Sequence, residues 1–133
     1  MGAHLLLAAG LTACGAGTAP APTGTWTHED GRPAAQVQSH PGEEHCGWDE
    51  AVILTSPREP RSYVRDPEGV VAGGRYAEAF DPDAVLPADA VDTGLRLDGV
   101  QLWLGPGGEP AYLRDPDGGV EAWPATEEPL GCD

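Results

Sequence analysis

Leu95-Arg96-Leu97-Asp98-Gly99-Val100-Gln101-Leu102-Trp103-Leu104 is the stretch that decides the fold class. Apolar and polar residues alternate on both sides of Asp98-Gly99, and a period of two belongs to a strand with one buried face. Asp-Gly between two such runs favours a type I′ turn, whose two central residues both take positive φ. The stretch therefore reads as a hairpin, with Val100, Leu102 and Leu104 on one face and Gln101 and Trp103 on the other. Working outward, Ala51-Val52-Ile53-Leu54-Thr55 is a short apolar run that suits a buried strand, and Ala111–Arg114 and Val120–Trp123 continue the meander. Between Arg75 and Val91 the alternation weakens, and Tyr76–Phe80 suits one or two helical turns ended by Pro82. The expected fold is mainly β: a small antiparallel sheet domain over residues 45–133, with at most one short helix.

The chain also echoes itself. Tyr63-Val64-Arg65-Asp66-Pro67-Glu68-Gly69 aligns with Tyr112-Leu113-Arg114-Asp115-Pro116-Asp117-Gly118 at an offset of 49, and Pro57 aligns with Pro106. Asp, Pro and Gly are each suited to a turn: Asp caps it, Pro fixes φ and Gly accepts positive φ. Two copies are too few for a solenoid or propeller. Two related hairpin units are the reading that follows.

The amino-terminal end carries a different signal. An apolar run from Ala3 to Gly10 leads into Leu11-Thr12-Ala13-Cys14, which resembles a bacterial lipobox. The run is about ten residues long, short of the roughly 20 of a spanning helix and within the roughly 7–15 of a secretory apolar core. Met1-Gly2-Ala3-His4 departs from the pattern in having no Lys or Arg. The resemblance implies that residues 1–13 are a signal peptide, that Cys14 carries a diacylglyceryl thioether, and that the protein works at the outer face of the cell membrane. Plain secretion is the alternative. Residues 14–44, rich in Gly, Ala, Pro and Thr with Trp26 as their one large apolar side chain, read as a flexible tether with a reach of roughly 30 Å.

Removing Cys14 leaves Cys46 and Cys132, an even pair in an exported chain, where pairs of thiols oxidise. A bridge between them closes almost the whole domain and contributes on the order of 4–5 kcal/mol in the chain-entropy picture. Neither cysteine lies in a Cys-x-x-Cys motif.

The formal charge is −15, and all seven basic residues are Arg. Such a surface repels phosphate backbones and anionic headgroups, which argues against a nucleic-acid partner and leaves membrane contact to the lipid. Cys46-Gly47-Trp48, the strand Ala51–Thr55, Tyr63–Gly69, Leu102-Trp103-Leu104 and Gly131-Cys132 together resemble a group of exported actinobacterial proteins of unassigned activity. That resemblance covers roughly residues 45–133 and implies class and location only.

No motif carries a specific chemistry. Asp81, Asp83, Asp89 and Asp92 are oxygen ligands of the type calcium takes, but their spacing is not that of an EF-hand and Pro82 and Pro87 interrupt it, so they read as solvated loop carboxylates. Asp66/Glu68 and Asp115/Asp117 belong to turns. His28, His40 and His45 form no zinc-ligand pattern. Ser39, Ser56 and Ser62 lack a recognisable base, and no Gly-rich loop has the Lys of a phosphate-binding loop, since the chain has no Lys. No cofactor is expected. The candidate binding residues are Trp48, Tyr63, Arg65, Trp103, Tyr112 and Arg114, which recur on or beside the expected strands. An aromatic strip of this kind stacks on a sugar ring or anchors a protein partner; in a small domain the same residues also complete a core. The leading reading is a non-enzymatic envelope lipoprotein that binds wall polymer or another exported protein. The alternative is an envelope hydrolase with an unconventional carboxylate site.

Overall fold

Asp98 and Gly99 take φ of 52° and 82°, the positive pair of a type I′ turn, and they join two strands through the pair Leu97↔Val100. The computed structural model to which this hairpin belongs describes residues 21–55 and 61–130. Its strands are β1 (Gly24–His28), β2 (Pro33–Pro41), β3 (Val52–Thr55), β4 (Ser62–Arg65), β5 (Val91–Leu97), β6 (Val100–Leu104), β7 (Ala111–Arg114), β8 (Val120–Trp123) and β9 (Ala125–Thr126). All pairings are antiparallel, in the order β8-β7-β6-β5-β1-β2-β3-β4-β9. The mainly β antiparallel expectation holds. Tyr76–Phe80 forms only a single turn, closed by the Phe80 N–H donating to the Tyr76 carbonyl at 3.2 Å.

The two ends of that order belong to one stretch of chain. β8 pairs with β7, β9 pairs with β4, and only Pro124 lies between them; the Val64 N–H donates to the Pro124 carbonyl at 2.9 Å. Asp81–Ala84 fills the remaining edge of β8, with Asp81 and Ala122 exchanging N–H···O bonds of 3.0 and 2.8 Å. The sheet thus curls into a nearly closed barrel and leaves little open edge, as small β proteins must.

The barrel interior is apolar. Trp26, Leu54, Tyr63, Leu102 and Trp123 are its largest fully buried side chains. A second cluster lies outside the β3–β4 face, where Trp48, Val71 and Tyr76 cover Ile53 and Val64. β3 and β4 are therefore buried on both faces, which is why Ala51–Thr55 reads as a continuous apolar run.

Residues 24–41 correct the expectation of a tether over residues 14–44. They are β1 and β2, which sit between β5 and β3 in the middle of the sheet. Trp26 is 0% exposed, and its indole Nε1–H donates to the buried Ser39 hydroxyl at 2.8 Å. A tryptophan bound in this way contributes enough apolar area to hold an otherwise polar hairpin in the fold.

The echo at offset 49 is present in the strand pairing. Val52↔Arg65, Ile53↔Val64, Leu54↔Tyr63 and Thr55↔Ser62 in β3–β4 map onto Gln101↔Arg114, Leu102↔Leu113, Trp103↔Tyr112 and Leu104↔Ala111 in β6–β7. The two hairpins share a register but present opposite faces inward. Leu54 and Tyr63 lie inside the barrel, whereas the Trp103–Tyr112 pair lies on the face opposite the inward-pointing Leu102 and Leu113.

Candidate functional site

The six candidate binding residues separate into three groups. Trp48 is buried in the outer cluster and Tyr63 in the barrel, where its hydroxyl donates to the Gly108 carbonyl at 2.6 Å. Both are core residues.

Trp103, Tyr112 and Arg114 come together on the outer face of β6–β7. Trp103 is paired across the strands with Tyr112, and Arg114 with Gln101, so alternation places all four side chains on the same face. Trp103 and Tyr112 are half-buried and Arg114 is exposed. The Trp103 indole N–H donates to the Gln101 side-chain oxygen at 3.0 Å, which fixes the ring against the sheet. Arg114 is the one arginine among the described residues whose side chain has no hydrogen bond or ion pair; the others are held by carboxylates. An uncommitted guanidinium beside two aromatic rings, on a chain of net charge −15, combines a hydrogen-bond donor for anionic groups with a surface on which a ring can stack.

Arg65 sits elsewhere. Alternation along β4 turns it inward like Tyr63, at the end of the barrel, where its Nε and Nη2 donate to the two oxygens of Glu121 on β8 at 2.9 and 3.2 Å. The same Glu121 accepts the Trp123 indole N–H at 3.0 Å, and the Phe80 ring centroid lies 5.3 Å from the Arg65 guanidinium carbon. Arg65 also lines a cavity of about 620 Å³ at this end of the barrel. Sequence reasoning missed Glu121 and Phe80. The available signal for Glu121 was its place two residues before Trp123 on a strand, which puts both on one face.

The carboxylates mostly shape backbone. Asp66, fully buried, accepts the N–H groups of Val70 and Val71 through its two oxygens, both at 2.9 Å. Asp81 accepts the Asp83 N–H and Asp92 the Gly94 N–H, each at 2.9 Å. Burial pushes Asp92 upward, but its bonds to Arg96 and Gly94 outweigh this and hold its carboxyl below the usual range. Asp115 differs from its echo Asp66. Among the described residues its side chain accepts no backbone N–H; Asp117 accepts the Gly119 N–H instead, at 3.3 Å. Partial burial and the neighbouring charges of Asp117 and Glu121 push Asp115 up. It does not line the barrel-end cavity. Among the described residues no group of three His, Cys, Asp or Glu is placed to hold a metal ion, and no helix is long and apolar enough to cross a membrane.

Cys46 ends a 3₁₀ turn (Glu44–Cys46) and packs, half-buried, against the outer cluster together with Leu130. Cys14, Ser56 and Cys132 lie outside the described residues. No family model matches this chain, and no curated protein or solved structure is found to resemble it.

Proposed function

We propose that this protein is an exported envelope lipoprotein whose barrel binds an anionic wall polymer through the Gln101–Trp103–Tyr112–Arg114 face. The observation that carries the binding reading is the unpaired Arg114 beside Tyr112 and Trp103. In a molecule with more than three acidic residues for each basic one, an arginine without a carboxylate partner points to a partner from outside. Aromatic rings half-exposed on the outer face of a strand pair supply the stacking surface that sugar rings need, and the guanidinium supplies the bidentate contact to a carboxylate or phosphate.

Location rests on the lipobox-like Leu11-Thr12-Ala13-Cys14. With β1 beginning at Gly24, the ten-residue step from Cys14 spans at most about 35 Å even fully extended. A Cys14-anchored barrel therefore works close to the outer face of the membrane, in the inner layer of the wall. A Cys46–Cys132 disulfide is part of the same proposal. It is supported by the packing of Leu130, two residues before Cys132, in the cluster that holds Cys46.

The test is co-sedimentation of the full chain with purified, insoluble cell-wall sacculi. Binding that weakens with salt and is lost in both Trp103→Ala and Arg114→Gln supports the reading. Equal sedimentation of wild type and both variants overturns it. Cys14→Ala tests the anchor separately: its release from the membrane fraction supports lipidation, and unchanged fractionation rules it out.

A further inference from the structure

We propose that the cavity at the Arg65 end of the barrel is a binding site for the amino end of a short peptide, or for a similar small molecule that carries an amine beside a neutral carbonyl. The cavity holds about 620 Å³, within the range of small-molecule sites and large enough for a dipeptide. Its walls include the apolar side chains of Val52 and Phe80, and Arg65 reaches it from the barrel interior. Around it stand Asp49, Glu50 and Glu68, all exposed. None of the three carboxylates has a hydrogen bond or ion pair among the described residues, whereas the Asp66 beside Glu68 is fully used in its turn.

Electrostatics select the ligand. Arg65 is about nine-tenths buried, and its charge is already matched by the two-pronged bond to Glu121. What remains is Nη1, which has no acceptor among the described residues. A compensated guanidinium with a spare N–H edge is a donor for a neutral oxygen. An anion would face three uncompensated carboxylates without a free positive charge in return. An ammonium group is attracted to the same three carboxylates. An amine therefore belongs at the acidic rim and a carbonyl at Arg65, with an apolar side chain against Phe80 and Val52. The amino end of a peptide presents these groups in that order. Among the described residues no group of three carboxylates is placed to hold a metal ion.

The experiment is an NMR titration of the full chain, following the Arg65 Nε–H and Trp123 indole N–H signals. The probes are leucyl-leucinamide, its N-acetylated neutral form, and N-acetyl-leucyl-leucine, which is anionic. Saturable shifts with leucyl-leucinamide, at least about fivefold weaker binding of the two acetylated probes, and a similar loss in Asp49→Asn/Glu50→Gln/Glu68→Gln are expected. The triple variant changes exposed groups only, so its fold is checked by the unchanged remainder of the spectrum. Three results overturn the proposal: no saturable shift with leucyl-leucinamide, equal shifts with all three probes, or binding indifferent to the triple variant. Co-sedimentation with sacculi through the Trp103 face is unaffected by any of them.

Discussion

Arg65 and Glu121 tie β4 to β8 at the seam where the sheet closes, through bonds of 2.9 and 3.2 Å. The backbone joins these two strands only through Pro124 and the short β9, so the ion pair is the side-chain part of the closure. Phe80 over the guanidinium and the Trp123 indole on the carboxylate hold each partner from a further direction.

Removing one partner should therefore cost more than losing the contact alone. Arg65→Met is expected to lower stability by about 2–3 kcal/mol, less than for a fully buried pair because Glu121 keeps some contact with water. Arg65→Met/Glu121→Leu should lose clearly less than the sum of the two single losses. A double-mutant cycle by urea unfolding measures this. Additive losses would mean that the pair does not hold the seam.

β1 and β2 belong to the barrel, so a chain beginning at residue 45 should not fold. It would lack the two central strands and Trp26. In the full chain, Trp26→Ala is expected to cost about 3–5 kcal/mol, the range for deleting a buried tryptophan. Circular dichroism and NMR dispersion of both variants check this. A cooperative melt from the shortened chain would show that residues 24–41 are dispensable.

The contrast between these strands and β5–β6 shows what the sequence reveals. Around Asp98-Gly99 the alternation is regular and the turn residues are unambiguous, so hairpin, register and facing were all readable. In β2 the buried positions are Val37 and Ser39, one apolar and one polar. Ser39 is inside because it accepts the Trp26 indole N–H, a tertiary bond that no local pattern announces. The connection between β1 and β2 contains Asp30-Gly31, with Gly31 at a φ of 93°, but its flanks lack the apolar alternation that marks a hairpin. The candidate site was legible in part for a related reason. Tyr63 and Tyr112 occupy matching registers, yet one faces the core and the other faces out. Facing depends on what covers the other side of the sheet, and the cover over β3–β4 comes from two separate segments, Trp48 before β3 and Val71 with Tyr76 after β4.

Gly99 has two reasons to be glycine. Its φ is 82°, and a Cβ there would meet Pro116 Cγ at 3.0 Å. Gly31 has the first reason only: its φ is 93° and a Cβ would meet nothing within 4 Å. Gly31→Ala should cost about 1 kcal/mol from backbone strain, and Gly99→Ala about 1–2 kcal/mol. Thermal unfolding of the pair compares them. A smaller loss at Gly99 would remove the Pro116 contact from the account.

Asp115 should make the fold more stable in acid than its neighbours would suggest. Burial and the charges of Asp117 and Glu121 raise its folded-state pKa above the ordinary 3.8. A raised carboxyl takes up its proton more readily in the folded chain, so its favourable contribution is complete below the unfolded value and is lost as pH rises through the folded one. At neutral pH its ionised form is therefore a small liability. Asp115→Asn should stabilise the protein at pH 7 by roughly 0.5 kcal/mol or less, since the group is close to solvent, and the gain should vanish below the ordinary aspartate range. Asp92, whose carboxyl is held low by Arg96 and Gly94, has the opposite sign: Asp92→Asn should destabilise at pH 7, and that loss should fade as the pH falls through the lowered value. Urea midpoints at pH 7 and pH 3 for both variants give the comparison. The Asp115 effect depends on partial burial and like charges around a carboxyl without a partner, and the Asp92 effect on bonds already made to it. Variants that shift in the same direction at neutral pH would contradict one of these two environments.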